Sequence, residues 1–117
     1  MGDRMWECSF LVPVRGDEAL SEGGFHSSME WEWLDDQLWR RFRAATQAPG
    51  LYAGFYPDAD TGARVADESR RYIVAISEER FDELRSLMSE CCIVFKQKCM
   101  YLNLVGEVEF IERPATP

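Results

Sequence analysis

Residues 51–76 read LYAGFYPDADTGARVADESRRYIVAI, and the way this stretch pairs with itself decides the fold. Leu51-Tyr52-Ala53-Gly54-Phe55-Tyr56 reads as a strand. Pro57-Asp58-Ala59-Asp60-Thr61-Gly62 concentrates turn residues: proline presets φ, aspartate bonds its own backbone, and glycine accepts positive φ. The chain resumes at Arg64-Val65, with Asp67 to Ser69 read as a bend or bulge. Arg71 to Ile76 is the most β-like run in the protein. The spacing predicts an antiparallel hairpin between residues 51–56 and 71–76, and the elements on either side then set the topology.

Upstream, Ser27-Ser28-Met29-Glu30 has the spacing of a capping box, with Ser27 as N-cap. Trp31, Leu34, Leu38 and Phe42 follow at i, i+3, i+7 and i+11, one apolar stripe at helical period. Acids lead this helix and Arg40, Arg41 and Arg43 close it, as the macrodipole favours; Pro49-Gly50 is read as its end. Before it, residues 5–14 alternate, with Trp6, Cys8, Phe10 and Val12 on one face, which predicts a strand. Arg15 to Phe25, rich in Gly, Glu, Asp and Ser, reads as a long loop.

Downstream, Ser77 is placed to cap a second helix whose buried stripe is Phe81, Leu84, Met88, Cys91, Cys92 and Phe95, extended to Cys99. A last strand runs from Met100 to Val105, and Gly106 forms a bulge or tight turn before Val108 to Ile111. The order β-α-β-β-α-β predicts an α+β fold, a ferredoxin-like βαββαβ sandwich whose antiparallel sheet carries two helices on one face. All 117 residues are expected in a single domain, with a core over about 5–112, a loop at 15–26 and a frayed tail at 113–117.

Composition agrees with a globular chain: 46% hydrophobic and 29% charged residues. The net charge is −8, from 21 acidic against 13 basic side chains. Such a surface repels phosphate backbones, so nucleic acid is not expected as a partner. The first residues lack a basic n-region followed by an apolar h-region, and Trp6 stands where a myristoylation signal needs Ser or Thr. No run has the length of a membrane span. The expected setting is therefore cytoplasmic, away from membranes. In such a reducing compartment Cys8, Cys91, Cys92 and Cys99 read as small apolar core residues, because no C-x-x-C pair exists. No metal and no cofactor are expected.

Asp58-Ala59-Asp60-Thr61-Gly62 fails as a calcium loop, since its glycine comes one position early and Ser69 stands where a bidentate Glu is required. It reads as a turn. His26 titrates near neutrality but pairs with no nucleophile in the sequence. More telling is the sheet face the helices would leave bare. With Trp6, Cys8, Phe10, Tyr72, Val74 and Ile76 turned inward, alternation turns Leu11 and Ile73 outward. Tyr52, Tyr56, Tyr101 and Asn103 are expected to join them, and Trp33 lies nearly opposite the apolar stripe of its helix. A face of this kind is usually covered by a second subunit or a ligand. Leu11, Trp33 and Ile73 are accordingly candidate interface residues; His26, Tyr52, Tyr56, Glu68, Arg70 and Tyr101 are candidate ligand-binding residues.

Gly54-Phe55-Tyr56, Thr61-Gly62, Glu68-Ser69-Arg70 and the later Phe95-Lys96-Gln97 resemble small bacterial ferredoxin-like families of unknown function. The resemblance covers about the last two-thirds of the chain. It implies the fold and a bacterial setting, and supplies no catalytic residue. The first functional reading is a homodimeric binding or interaction module with a small-ligand pocket. The alternative is a small cofactor-independent enzyme of the dimeric α+β-barrel type, built around His26, Tyr56, Glu68 or Arg70. A third reading, an acidic partner for a basic protein, rests on charge alone.

Overall fold

The computed structural model describes residues 4–115, so expectations for Met1 to Asp3, Thr116 and Pro117 lie outside the described residues. Strand β1 spans Trp6–Pro13 and helix α1 Ser28–Phe42. Two short strands follow, β2 at Thr46–Gln47 and β3 at Tyr52–Pro57, and then the long β4 at Arg64–Ile76. A 3-10 turn at Glu78–Arg80 leads into α2, Phe81–Val94, and the hairpin β5, Cys99–Leu104, with β6, Glu107–Glu112, ends the fold.

The protein is thus α+β, with two helices and a six-stranded antiparallel sheet. The neighbours run β2-β4-β1-β5-β6, and β3 also pairs with β4. Alternation drives the assembly. Cys8, Phe10 and Val12 of β1, Tyr72, Val74 and Ile76 of β4, and Met100, Leu102 and Leu104 of β5 point to one side. There they meet Leu34, Leu38 and Phe42 of α1 and Leu84, Leu87, Met88, Cys91 and Cys92 of α2. Phe10 stacks on Tyr72 with ring centroids 5.3 Å apart. Each large apolar side chain buried in this layer contributes roughly 1.5–3 kcal/mol against exposure.

Several expectations need correction. The sheet is not the four-stranded ferredoxin-like one, because β2 and β6 are added to it. Helix α1 stops at Phe42, not at Pro49-Gly50; Arg43 takes a left-handed φ of 62° as its C-cap. Pro49-Gly50 instead separates β2 from β3, and both lie along one edge of β4: Thr46 opposite Ile73, Tyr52 opposite Ser69. The hairpin register differs as well. Residues 52–57 pair with 64–69, while 69–76 pair with β1, so Asp67 to Ser69 run straight through an unbroken ladder. Cys99 begins β5 and is exposed, since the helix has already ended at Val94. Trp33 is half-buried and edge-on to Phe95 at 6.4 Å. The tail is anchored at its start, where the Arg113 amide donates to the Lys98 carbonyl at 2.8 Å and its guanidinium to the Cys92 carbonyl. No helix is long and apolar enough to cross a membrane.

Candidate active site

Past the Pro13–Ser69 pair, β3 and the outer half of β4 continue as a two-stranded arm, held to the chain after β1 by the Val14 amide on the Glu68 carbonyl. Asp58 closes its tip: its Oδ1 accepts from the amides of Asp60 and Thr61, and Gly62 supplies the left-handed φ of 72° the turn requires. The backbone amides facing Asp58 hold its carboxyl below the ordinary aspartate range. Lys98, in the connection between α2 and β5, reaches the tip with Nζ 2.7 Å from Asp60 and 3.5 Å from Asp58. The arm is thereby drawn over the sheet face opposite the helices.

Between arm and sheet lies a cavity of about 470 Å3. Its floor is Leu11 and Pro13 of β1 with Ser69 of β4; Gly54, Phe55 and Tyr56 form the arm side, and Tyr101 and Phe110 the far side. Register explains this gathering: Gly54 faces Asp67 across the arm, Leu11 faces Tyr101, and Tyr101 faces Phe110. The last two rings meet edge-on at 5.9 Å. Shelter on this side is evident from Ser69, a cavity-lining residue 3% exposed although it points away from the helices. That face is therefore partly roofed by the chain itself.

The mostly apolar cavity is lined by the paired Asp58 and Lys98 and by two acids, Asp17 and Asp67, that make no ion pair among the described residues. Asp67 stands in its wall, its carboxyl pushed above the ordinary range by burial. Asp17 enters from the loop after β1, where its amide donates to the Lys96 carbonyl at 2.8 Å. Burial, and secondly the charge of Asp67, raise the Tyr56 hydroxyl pKa, so it stays protonated. The loop is a built wall: Arg15 and Phe25 bridge its ends, and the buried Gln97 donates from Nε2 to the Arg15 carbonyl at 2.8 Å. Among the described residues no group of three or more His, Cys, Asp or Glu is placed to hold a metal ion.

Of the candidate ligand-binding residues, the structure brings Tyr56 and Tyr101 together in this cavity. Glu68 is exposed on an adjoining concavity that Tyr56 also borders. Tyr52 lies outside both, with the Arg71 guanidinium 5.9 Å from its ring. His26 and Arg70 are on the helix side. The His26 ring packs against Trp31 and Phe95, its Nε2 lies 2.9 Å from the Pro13 carbonyl, and burial lowers its pKa. Arg70 lies 3.8 Å over Trp31. Of the interface candidates, Leu11 lines the cavity floor, while Ile73 pairs with Ser9 and Thr46 in mid-sheet. Asp17, Asp67 and Phe110 went unmarked in the sequence. Alternation outward from Arg71 and Ile73 would have marked Asp67, had no bend been read at 67–69.

No family model and no curated protein matches this chain. Its fold is nevertheless that of a small α+β enzyme of known structure, shared over the full length. That enzyme is a phage SAM lyase, solved in complex with S-methyl-5'-thioadenosine; the TM-score is 0.70 and the identity 17%, with 100% of this chain and 96% of the lyase covered. At such identity the likeness shows the fold alone. It overturns the first functional reading, a binding or interaction module, because the architecture that suggested it is matched end to end by an enzyme. The enzyme alternative is the better supported of the two.

Proposed function

We propose that this chain is an enzyme that binds S-adenosylmethionine in the arm-covered cavity and cleaves it, releasing S-methyl-5'-thioadenosine. The observation that carries the reading is the cavity itself: an apolar, aromatic-walled space with a half-buried carboxylate, in a fold shared with a lyase found holding that nucleoside. Its volume of about 470 Å3 suits a nucleoside with its sulfur substituents. Phe55, Tyr56, Tyr101 and Phe110 offer faces and edges for the adenine, and stacking of one base on an aromatic ring is worth roughly 1–3 kcal/mol.

The chemistry follows from the charge on sulfur. S-methyl-5'-thioadenosine keeps the methyl and adenosyl groups of S-adenosylmethionine, so the bond that breaks joins sulfur to the four-carbon amino-acid chain. Both electrons of that bond go to sulfur, which leaves as a neutral thioether, while an oxygen of the substrate's own carboxylate bonds to the carbon that sulfur leaves. The four-carbon fragment thus departs as an amino lactone whose ammonium keeps the single positive charge. Apolar walls favour this step, because they solvate the fading sulfonium charge less well than water solvates the intact cation. Asp67 and Asp17 supply the complementary role of drawing in and orienting the cation.

Incubation of the purified protein with S-adenosylmethionine, followed by chromatography of the nucleosides, tests the proposal. S-methyl-5'-thioadenosine should accumulate in proportion to enzyme, and replacing Tyr101 by Ala should slow its formation by roughly tenfold or more, the loss of one stacking partner. Unchanged substrate, together with no binding of S-methyl-5'-thioadenosine at millimolar concentration, would overturn it.

A further inference from the structure

Beside the apolar cavity, sharing with it the wall of Tyr56, Asp58 and Asp67, is a second concavity of about 600 Å3. Its chemistry differs. Arg15 from the loop after β1 and Arg64 from the start of β4 both border it. Of the 13 cations, Arg40, Arg41, Arg80, Arg85 and Lys98 are held in ion pairs. Among the described residues Arg15 and Arg64 make none. Their guanidiniums rest instead on aromatic faces, Arg15 at 4.0 Å from the Phe25 centroid and Arg64 at 4.4 Å from that of Phe55. Stacking fixes the guanidinium plane and leaves its N–H edge free to bind a carboxylate in bidentate fashion.

The main chain adds donors. The ladder between β1 and β4 ends at Pro13 and Ser69; just beyond it the Val14 amide donates to the Glu68 carbonyl, and the Val14 carbonyl turns away to accept from the His26 amide. Along Arg64 to Ala66 that edge of β4 has no neighbouring strand, so backbone groups on it face the concavity unpaired. Glu68, on the same rim, brings a carboxylate. The lining also carries Asp17, Glu18, Asp58 and Asp67, so two uncommitted guanidiniums stand among five carboxylates and the site offers both signs of charge, as a zwitterion requires.

We infer that this concavity takes the amino-acid end of the substrate, with Arg15 and Arg64 on the α-carboxylate and Glu68 on the α-ammonium. The inference rests on the reading of the apolar cavity as the nucleoside site. The sulfonium then falls at the shared wall, beside Asp67, and the molecule spans both spaces without a gap. Arg64 and Arg15 are specificity residues here: they separate a ligand that carries the amino-acid chain from one that does not.

Calorimetry with two uncleaved probes decides the matter. S-methyl-5'-thioadenosine fills only the apolar cavity, whereas S-adenosylhomocysteine carries the same nucleoside and the amino-acid chain. The wild type should bind S-adenosylhomocysteine the more tightly. Arg64→Ala should weaken S-adenosylhomocysteine by roughly tenfold, the value of one charged hydrogen-bonding group, and leave S-methyl-5'-thioadenosine unchanged, which also verifies folding. Arg64→Lys should recover only part of the loss, and Arg15→Ala should repeat the selective effect. If both variants weaken both ligands equally, or neither, the amino-acid subsite is overturned and the nucleoside site stands. If the wild type binds neither probe, both fall together.

Discussion

Burial holds the Asp67 carboxyl above the ordinary aspartate range, and among the described residues no cation pairs with it to offset the lost hydration. An acid whose pKa is raised on folding binds its proton more tightly in the folded chain than in the unfolded one. It therefore burdens stability at neutral pH, and the burden is relieved as pH falls through the raised value toward the unfolded value of about 3.9. Asp67→Asn should accordingly melt at a higher temperature than the wild type at pH 7, with the two converging near pH 3. The same change should weaken S-adenosylmethionine while sparing the uncharged S-methyl-5'-thioadenosine. Equal melting at pH 7 and equal affinity for the cation would remove Asp67 from the site. At this scale the sequence was legible wherever a residue sits in a long periodic run: Phe10, Leu34, Leu38 and Tyr72 are buried as their spacing demands. Asp67 was not legible, because a strand changes face with every residue and a supposed bend at 67–69 erased the count.

Both helices could be read from sequence because each carries an apolar stripe within fifteen residues or fewer and α1 adds a capping box; Ser77, read as the cap of α2, instead precedes the 3-10 turn and its side chain makes no cap bond. Strand pairing carries no such local record. The 13 residues of β4 serve three neighbours in turn, and nothing in Arg64 to Ile76 says where one partner gives way to the next. The arm follows from that hidden hand-over, and with it the roof of the cavity. A two-stranded ribbon is marginal by itself; the Lys98 pairs with Asp58 and Asp60 tether this one at its tip. Gly54 tests whether the space beneath matters. Its φ is outside the left-handed region, and an added Cβ would meet nothing nearer than Asp67 Oδ1 at 3.9 Å. A side chain is thus tolerated there by the backbone, and removing a strand glycine contributes about 0.5–1 kcal/mol of stability. Gly54→Leu should keep or raise the melting temperature and abolish S-methyl-5'-thioadenosine binding by filling the cavity over Asp67. Undiminished binding in a folded variant would place the nucleoside elsewhere.

A net charge of −8 was plain from the composition and ruled out nucleic acid as an expected partner. What it favours is a cation, and the cavity gives that a place: its lining carries Asp17, Asp58 and Asp67 against Lys98 alone. S-adenosylmethionine carries one net positive charge at neutral pH, from its sulfonium, ammonium and carboxylate, whereas S-methyl-5'-thioadenosine carries none. The field of the whole molecule should therefore act on the first and ignore the second. Salt separates the two, since the screening length shrinks from about 30 Å at 0.01 M to about 3 Å at 1 M. Affinity and association rate for S-adenosylmethionine should fall several-fold over that range, most of the change lying in association, while the neutral nucleoside holds its affinity. Two parallel salt profiles, one sloping and one flat, are the expected result in stopped-flow binding. Flat profiles for both ligands would mean that the acids at the cavity do not meet the sulfonium; equal slopes would mean that salt acts on the arm and its Lys98 tether instead of on the ligand.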